Sequence, residues 1–213
     1  MERDRIEEYL DALGVEDTSR KSALLERYTD EIMLFNPSLK LVGSKERDEI
    51  IVRHIFDCAF AYPVFSDKTK EGDTIADMGS GAGLPGVVLA ILFPSRKFCL
   101  IERMQRRAGF LRSVAAVLKL DNVTVFDADI KDTKERFDAV TSRAFHPIVD
   151  IARDAVKLSS KALFYKGTRA NTAGEVSALR SASYVFDEKI IPLEVPGLDE
   201  ERNILVLENW GRK

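Results

Sequence analysis

IADMGSGAGLPG, residues 75–86, places four glycines and one carboxylate within twelve positions. Glycine at that density marks a backbone that turns tightly or lets a ligand approach closely. Upstream, TIAD (74–77) reads as a short strand, and downstream GVVLAILF (86–93) reads as a helix. Strand, glycine turn and helix open a βαβ unit, and in an open parallel sheet ligands bind beyond the carboxyl ends of the strands.

Outward from the loop the alternation continues. KFCLIE (97–102) is a buried-strand run, and residues 103–120 predict a helix with Met104, Ala108, Leu111, Ala115 and Leu118 on its apolar face. Further strands are expected over 122–129, 137–144, 162–167, 184–191 and 203–209. The last two have no convincing helix between them and are expected to pair antiparallel at one edge. Before the loop, the first 35 residues read as helix, with Leu24, Leu25, Tyr28, Ile32 and Phe35 at helical spacing and Asn36-Pro37 as the stop. A second helical stretch covers roughly 46–60, and SDKTKEGD (66–73) is a polar boundary. The expected architecture is a doubly wound α/β domain over 67–213, with a mainly parallel seven-stranded sheet, behind an N-terminal helical appendage over 1–66.

Composition narrows the class. With 45% hydrophobic and 31% charged residues, the chain suits a folded globular protein rather than a disordered one. No apolar run approaches the roughly 20 residues that span a bilayer, and MERDRIEEYL lacks an apolar signal region, so a cytoplasmic location without a membrane partner is expected. Cys58 and Cys99 sit in apolar surroundings without metal-ligand spacing, so reduced thiols and no metal site are expected. The net charge of −3 conceals an asymmetry: residues 95–119 carry seven basic side chains and one acid, +6, leaving −9 for the rest. A basic patch on an acidic body suits one docking site for an anionic partner.

Three ligands compete for the loop. A Walker loop needs Lys-Ser/Thr after its last glycine, where Pro85-Gly86-Val87 stands, and is excluded. A dinucleotide fingerprint fits Gly81, Gly83 and Gly86, with Glu102 near the position of a ribose acceptor, but the strand ends four residues too early. S-adenosylmethionine fits acid-x-Gly-x-Gly-x-Gly at Asp77, Gly79, Gly81 and Gly83. That ligand has an ammonium and a sulfonium but no pyrophosphate, so an acid at the strand tip makes sense. Glu102 can then accept the ribose hydroxyls, and Asp129 with the Ile130 amide can meet the adenine. Each carboxylate also has a plain structural role open to it: Asp77 as a helix cap, Glu102 pairing with Arg106, Asp129 as a turn residue.

The methyl acceptor is narrowed by what is missing. Cytosine carbon-5 needs a Pro-Cys nucleophile, and neither cysteine follows proline; an exocyclic amine commonly uses Asn/Asp-Pro-Pro-aromatic, where TSRAFHP (141–147) stands. Guanine N7 has a free lone pair and needs no deprotonation, so orientation and proximity can supply much of the catalysis. His54 and His146 then have no proton to remove. Arg103, Arg106, Arg107 and Arg112 on the basic helix are the candidate RNA contacts, the first three expected in its first turn, where positive charge is unfavourable unless an anion binds.

DMGSGAGLPG (77–86), RRAGFLR (106–112), VTSRAF (140–145), the Lys-Gly at 166–167 and VPGLDEER (195–202) together resemble the bacterial 16S ribosomal RNA guanine-N7 methyltransferases, also called glucose-inhibited division protein B. RHIFDC (53–58) and Asn36 are similar to that family's N-terminal half. The resemblance implies a class I methyltransferase fold, S-adenosyl-L-methionine as donor with S-adenosyl-L-homocysteine as product, and in-line transfer to N7 of one guanine of 16S rRNA, free or in the small ribosomal subunit. It implies that Gly79 and Leu84 line the cofactor pocket, that Asp129 and Ile130 flank the adenine, and that Arg143 sits beside cofactor or target base. It also implies that Lys166 ends the fifth strand near the same cleft and that Asn36, His54 and Asp57 reach over from the appendage, so Arg143, Lys166 and His54 are the candidate catalytic residues. A monomer is the expected state. Departures from the family pattern are Gln105-Arg106 for Gly-Lys, Cys58 for Ser and Asn203 for His. A methyltransferase for a small molecule or protein, a nicotinamide-dependent oxidoreductase and a non-catalytic RNA-binding module remain open on the sequence alone.

Overall fold

The computed structural model describes residues 2–212. Helices α1 (Glu2–Ala12) and α2 (Thr18–Leu39) are separated by Gly14, whose φ of +72° turns the chain, so the single helix expected over the first 35 residues is two. α2 also runs through the expected stop at Asn36-Pro37. Pro37 there removes one intrahelical donor and crowds the Met33 carbonyl, and only two more residues follow it in the helix. The helix ends instead at Lys40, left-handed at φ +49°, whose N–H donates to the Asn36 carbonyl. Residues 47–59 then form α3 (Arg47–Ile50), a π-helical segment (Ile51–Phe56) and α4 (Asp57–Ala59). Such segments are rare and concentrate at functional sites. α5 (Tyr62–Lys68) takes up part of the stretch expected as a polar boundary.

The alternating part follows as β1 (Thr74–Met78), α6 (Gly86–Leu92), β2 (Lys97–Ile101), α7 (Gln105–Leu118), β3 (Val123–Phe126), β4 (Ala139–Arg143), α8 (Ile148–Leu158), β5 (Ala162–Lys166), α9 (Arg169–Ser181), β6 (Tyr184–Leu193) and β7 (Arg202–Arg212). The seven strands lie in the order β3-β2-β1-β4-β5-β7-β6. β1 to β5 pair in parallel, and β7 runs antiparallel to both β5 and β6, giving the expected mainly parallel sheet with an antiparallel edge. Strand order reverses between β1 and β4, which opens a crevice beyond their carboxyl ends.

Alternation along β1 sets its chemistry. Ile75 faces the core shared with α2, α6 and α7, while Ala76 and Met78 face the one shared with α8 and α9. Period two therefore places Asp77 on the Ile75 side, under α6. The N-terminal helices enter that same core: Ile6, Leu25, Ile32 and Ile55 are fully buried with Val88 and Leu111. Each such aliphatic contributes about 1.5–3 kcal/mol of burial, and the N-terminal helices thereby cover one face of the sheet and bring their π segment to its carboxyl edge.

Candidate active site

A cavity of about 630 Å³ opens at the carboxyl ends of β1, β2 and β4, lined by Gly79–Ala82, Leu84, Glu102, Asp129, Ile130, Arg143 and Phe145 among others. Its size is ordinary for a small-molecule site. Leu41 and Val42, from the loop after α2, form part of the opposite wall with Met104 and Arg107.

The glycine loop has committed all of its amides but that of Ala82. Gly79 and Ser80 N–H donate to the Ile101 carbonyl at 3.0 and 3.1 Å, Gly81 N–H to Glu102 Oε2 at 2.9 Å, and Gly83 and Leu84 N–H to the Ser80 carbonyl. Among the described residues, the carbonyls of Gly79 and Gly81 accept no hydrogen bond. A phosphate cradle needs free N–H groups; this loop offers free carbonyls, which suit a cation. Gly79, Gly81 and Gly83 all have positive φ, which an L side chain rarely adopts. A Cβ at Gly79 would overlap the Phe145 ring. Gly83 does not line the cavity; it serves packing, since a Cβ there would come 3.0 Å from both Leu111 and the Tyr28 hydroxyl.

Asp77 lies behind the loop. It is fully buried and lines no part of the cavity, so the expected direct contact with a cationic ligand is replaced by a capping role. Its Oδ2 accepts from Gly86 N–H at 3.0 Å, at the start of α6, and Oδ1 has no partner among the described residues. Burial pushes its pKa up to about 7, against the pull of the Gly86 amide.

Glu102 is a brace rather than a partner of Arg106. Its Oε1 accepts from Met104 N–H at 2.8 Å and Oε2 from Gly81 N–H, so one carboxylate ties the glycine loop to the start of α7. It lines the cavity while 5% exposed, and each oxygen keeps a second lone pair for a ligand hydroxyl. Asp129 caps the short turn Ile130–Asp132 by accepting from Lys131 N–H, as a turn residue does, and it also lines the cavity beside the buried Ile130.

Opposite the loop, Arg143 is held from three sides. It donates to Asp57 Oδ2 at 2.7 Å, to His54 Nδ1 at 3.0 Å and to the Arg53 carbonyl at 3.2 Å. Asp57, 3% exposed, also accepts from Arg202 Nε at 3.0 Å. Burial, then the charges of Arg143 and Arg53, lowers the His54 pKa to about 4. The next residue, Ala144, sits at φ +51°, backbone strain of the kind that collects at functional sites.

Lys166 is not brought into the cavity. Its ammonium pairs with both oxygens of Glu175 at 2.9 Å, and Glu175 accepts the Ile148 N–H at the start of α8. The basic residues divide. Arg103 precedes α7 rather than occupying its first turn, 3.7 Å from Asp129 and 70% exposed; Arg107 lines the cavity and donates to the Lys40 carbonyl; Arg112 faces Asp127 at 3.4 Å; Arg106 is exposed. Asn36 does not enter the site either. Its amide clamps the wall loop, donating to the Ser44 carbonyl and accepting from Val42 N–H. The thiols of Cys58 and Cys99 are free, and no cluster of metal-binding side chains occurs among the described residues. No helix of the described residues is long and apolar enough to cross a membrane.

Sequence reasoning missed the site role of Tyr28, which looked like one more apolar position of a helix. It is fully buried, and its hydroxyl donates to the Ala82 carbonyl at 2.6 Å, bracing the glycine loop from the N-terminal helices. Its contact spans 54 positions, which no local pattern announces. Arg202 and Ser44 escaped for the same reason.

Residues 21–205 match the model of the GidB family, rRNA small subunit methyltransferase G. The chain belongs to this family. It is 33% identical to the ribosomal RNA small subunit methyltransferase G of Treponema denticola, over 93% of this chain and 91% of that protein. It is 35% identical to the protein of the same name from Cronobacter sakazakii, over 93% of this chain and 94% of that one. Among solved structures it is similar to magnesium protoporphyrin IX methyltransferase from Synechocystis PCC 6803 with bound S-adenosylmethionine, with a TM-score of 0.59 and 13% identity over 85% of this chain and 97% of that one. It is also similar to the ribosomal protein L11 methylase of Lactobacillus delbrueckii subsp. bulgaricus, at TM-score 0.56 and 14% identity, over 73% and 78%. At those identities the likeness bears on the fold, which is the class I methyltransferase fold. The family's methyl chemistry fits the cavity. The free carbonyls of Gly79 and Gly81 suit an ammonium, Glu102 suits ribose hydroxyls, and Asp129 with Ile130 suits an adenine edge. The oxidoreductase alternative falls with the family assignment, and the loop agrees with it, because five of its amides are already used inside the protein.

Proposed function

We propose that the protein methylates N7 of a guanine in 16S rRNA, releasing S-adenosyl-L-homocysteine, and that it works as a cytoplasmic monomer on free rRNA or the small ribosomal subunit. Bound in the cavity, S-adenosyl-L-methionine supplies an electrophilic methyl group carried on a sulfonium. The observation that carries the reading is the loop at 79–84, with five of its amides bonded within the protein and the Gly79 and Gly81 carbonyls left for a cationic cofactor.

The protein's own residues bind and orient. Gly79, Gly81, Leu84, Glu102, Asp129 and Ile130 hold the cofactor, with Asp77 and Gly83 fixing the loop from behind. Arg143 supplies the positive charge of the opposite wall, and the lone pair of the neutral His54 beside it is already taken by Arg143. That suits an acceptor with no proton to lose, for which proximity and orientation are the main requirement. Arg103 and Arg107 at the cavity mouth, with Arg106 and Arg112 along α7, lead the RNA in. Lys166 acts at a distance, through Glu175 on α9, which accepts the Ile148 N–H at the start of α8.

Methyl-labelled cofactor with small-subunit rRNA, followed by nuclease mapping, tests the reading. Label in one guanosine, at a position that becomes sensitive to mild alkali, is expected. Label confined to protein or small molecules would overturn it.

A further inference from the structure

Next to the main cavity lies an open basin of about 370 Å³ lined by Gly43, Ser44, Glu49, Arg53, Arg143 and Arg202, with His54 as the partition. His54 and Arg143 line both depressions, so whatever occupies one lies within a side chain's width of the other. Three guanidiniums converge there. Arg143 and Arg202 share a single carboxylate, Asp57, and with Glu49 also lining the basin the three guanidiniums face two carboxylates, a net +1. Among the described residues, the Arg53 side chain is held only from outside, by Glu200 at 2.7 Å, both partners about half exposed. An ion pair so open to water contributes little and exchanges readily. The positive field is felt by His54, whose protonation is opposed by Arg143, Arg53 and Arg202 after burial itself.

A guanidinium with spare donors at the rim of a positively charged basin suits a phosphate, which it can bind in bidentate fashion. Resting on the rRNA methyltransferase reading, we propose that this basin binds the backbone phosphate beside the target nucleotide. Arg53 and Arg202 supply the donors, and Glu200 occupies the phosphate's place when RNA is absent. The strand is then held on both sides of the cavity, by the α7 arginines at one mouth and by this basin at the other. Arg53 comes from the π segment and Glu200 from the loop before β7, and both side chains are about half exposed, so the exchange meets no buried contact between them.

The test is RNA binding by the full-length protein as a function of salt, using small-subunit rRNA and an unrelated single-stranded RNA. Arg53→Gln is expected to weaken both several-fold and to reduce the salt slope by about 1. Glu200→Gln is expected to do the opposite, tightening RNA binding although an ion pair is lost. Affinity for S-adenosylhomocysteine, measured alongside, should match the wild type in both and so certifies folding. Wild-type-like binding and slope in Arg53→Gln, weaker binding in Glu200→Gln, or no RNA binding by the wild type would overturn the proposal. A wild-type protein that binds RNA without labelling any guanosine would defeat the methyltransferase reading alone, and the two variants would still decide the phosphate site.

Discussion

The guanidinium of Arg143 donates to His54 Nδ1 across 3.0 Å, and because arginine has no acceptor, the imidazole must be neutral with its proton on Nε2. Ser44 Oγ, 3.4 Å from Nε2, is positioned to accept that proton. With its pKa lowered to about 4 by burial and three arginines, His54 stays neutral through the working range. Methylation rates at saturating cofactor should therefore show no inflection belonging to His54 between about pH 6 and about pH 8. A step near pH 6.5 that disappears in His54→Gln would make His54 a titrating base and contradict this geometry.

Asp77 and His54 push the stability curve in opposite directions. Asp77 has its folded pKa raised from 3.8 to about 7, so its contribution is fully present below pH 3.8 and is lost as pH rises through about 7. His54 has its folded pKa lowered from 6.5 to about 4, so its contribution is present above pH 6.5 and is lost as pH falls toward about 4. The two nearly offset each other across that window. Asp77→Asn keeps an acceptor for Gly86 N–H and removes one of the two slopes. The urea midpoint of the variant, relative to wild type, should rise steadily from about pH 4 to about pH 7. A flat difference would mean that Asp77 does not titrate in the fold.

Among the described residues, Asp57 is the one carboxylate serving Arg143 and Arg202, and it is 3% exposed. Asp57→Asn leaves two guanidiniums facing a neutral amide that can accept through one oxygen only. Removing one partner from a buried pair costs about 3–5 kcal/mol. The chemical midpoint should drop accordingly, and rRNA methylation should fall further than S-adenosylhomocysteine binding, because Glu102 and the glycine loop lie on the other wall. Equal losses in both would show that the two walls are coupled.

What the sequence disclosed follows from the range of the interactions involved. The βαβ order, the seven strands and the antiparallel edge come from local periodicity, and the glycine loop is punctuated by its own residues. Glu102 was visible because a strand end has a fixed address, although its bonds to Gly81 and Met104 amides were not. Asp77 shows the limit. A strand-tip acid in a glycine motif suggests a ligand contact, yet the parity of β1 turns it under α6, and parity at a strand's last residues depends on where the strand stops. Lys166 ended its strand as expected and was captured by Glu175 nine residues on, a pairing with α9 that strand reasoning does not reach. The π segment at Ile51–Phe56 and the Tyr28 brace depend on packing between segments far apart in the chain.

Glu102 permits the sharpest single-atom test, because its two oxygens accept from two different amides, Met104 N–H at 2.8 Å and Gly81 N–H at 2.9 Å. Glu102→Gln preserves size and one acceptor but turns the other oxygen into a donor that confronts an N–H. Orphaning one buried amide costs about 1–3 kcal/mol. That cost falls either on the start of α7 or on the loop between Gly79 and Gly83, and both border the cavity. Cofactor affinity should drop by about tenfold or more, as measured by calorimetry with S-adenosylhomocysteine, while a modest fall in midpoint reports the lost brace. Glu102→Asp keeps the charge but shortens the reach, so it should bind no better than the Gln variant if geometry governs. Recovery of affinity in Glu102→Asp would assign the effect to charge alone and remove the bracing role.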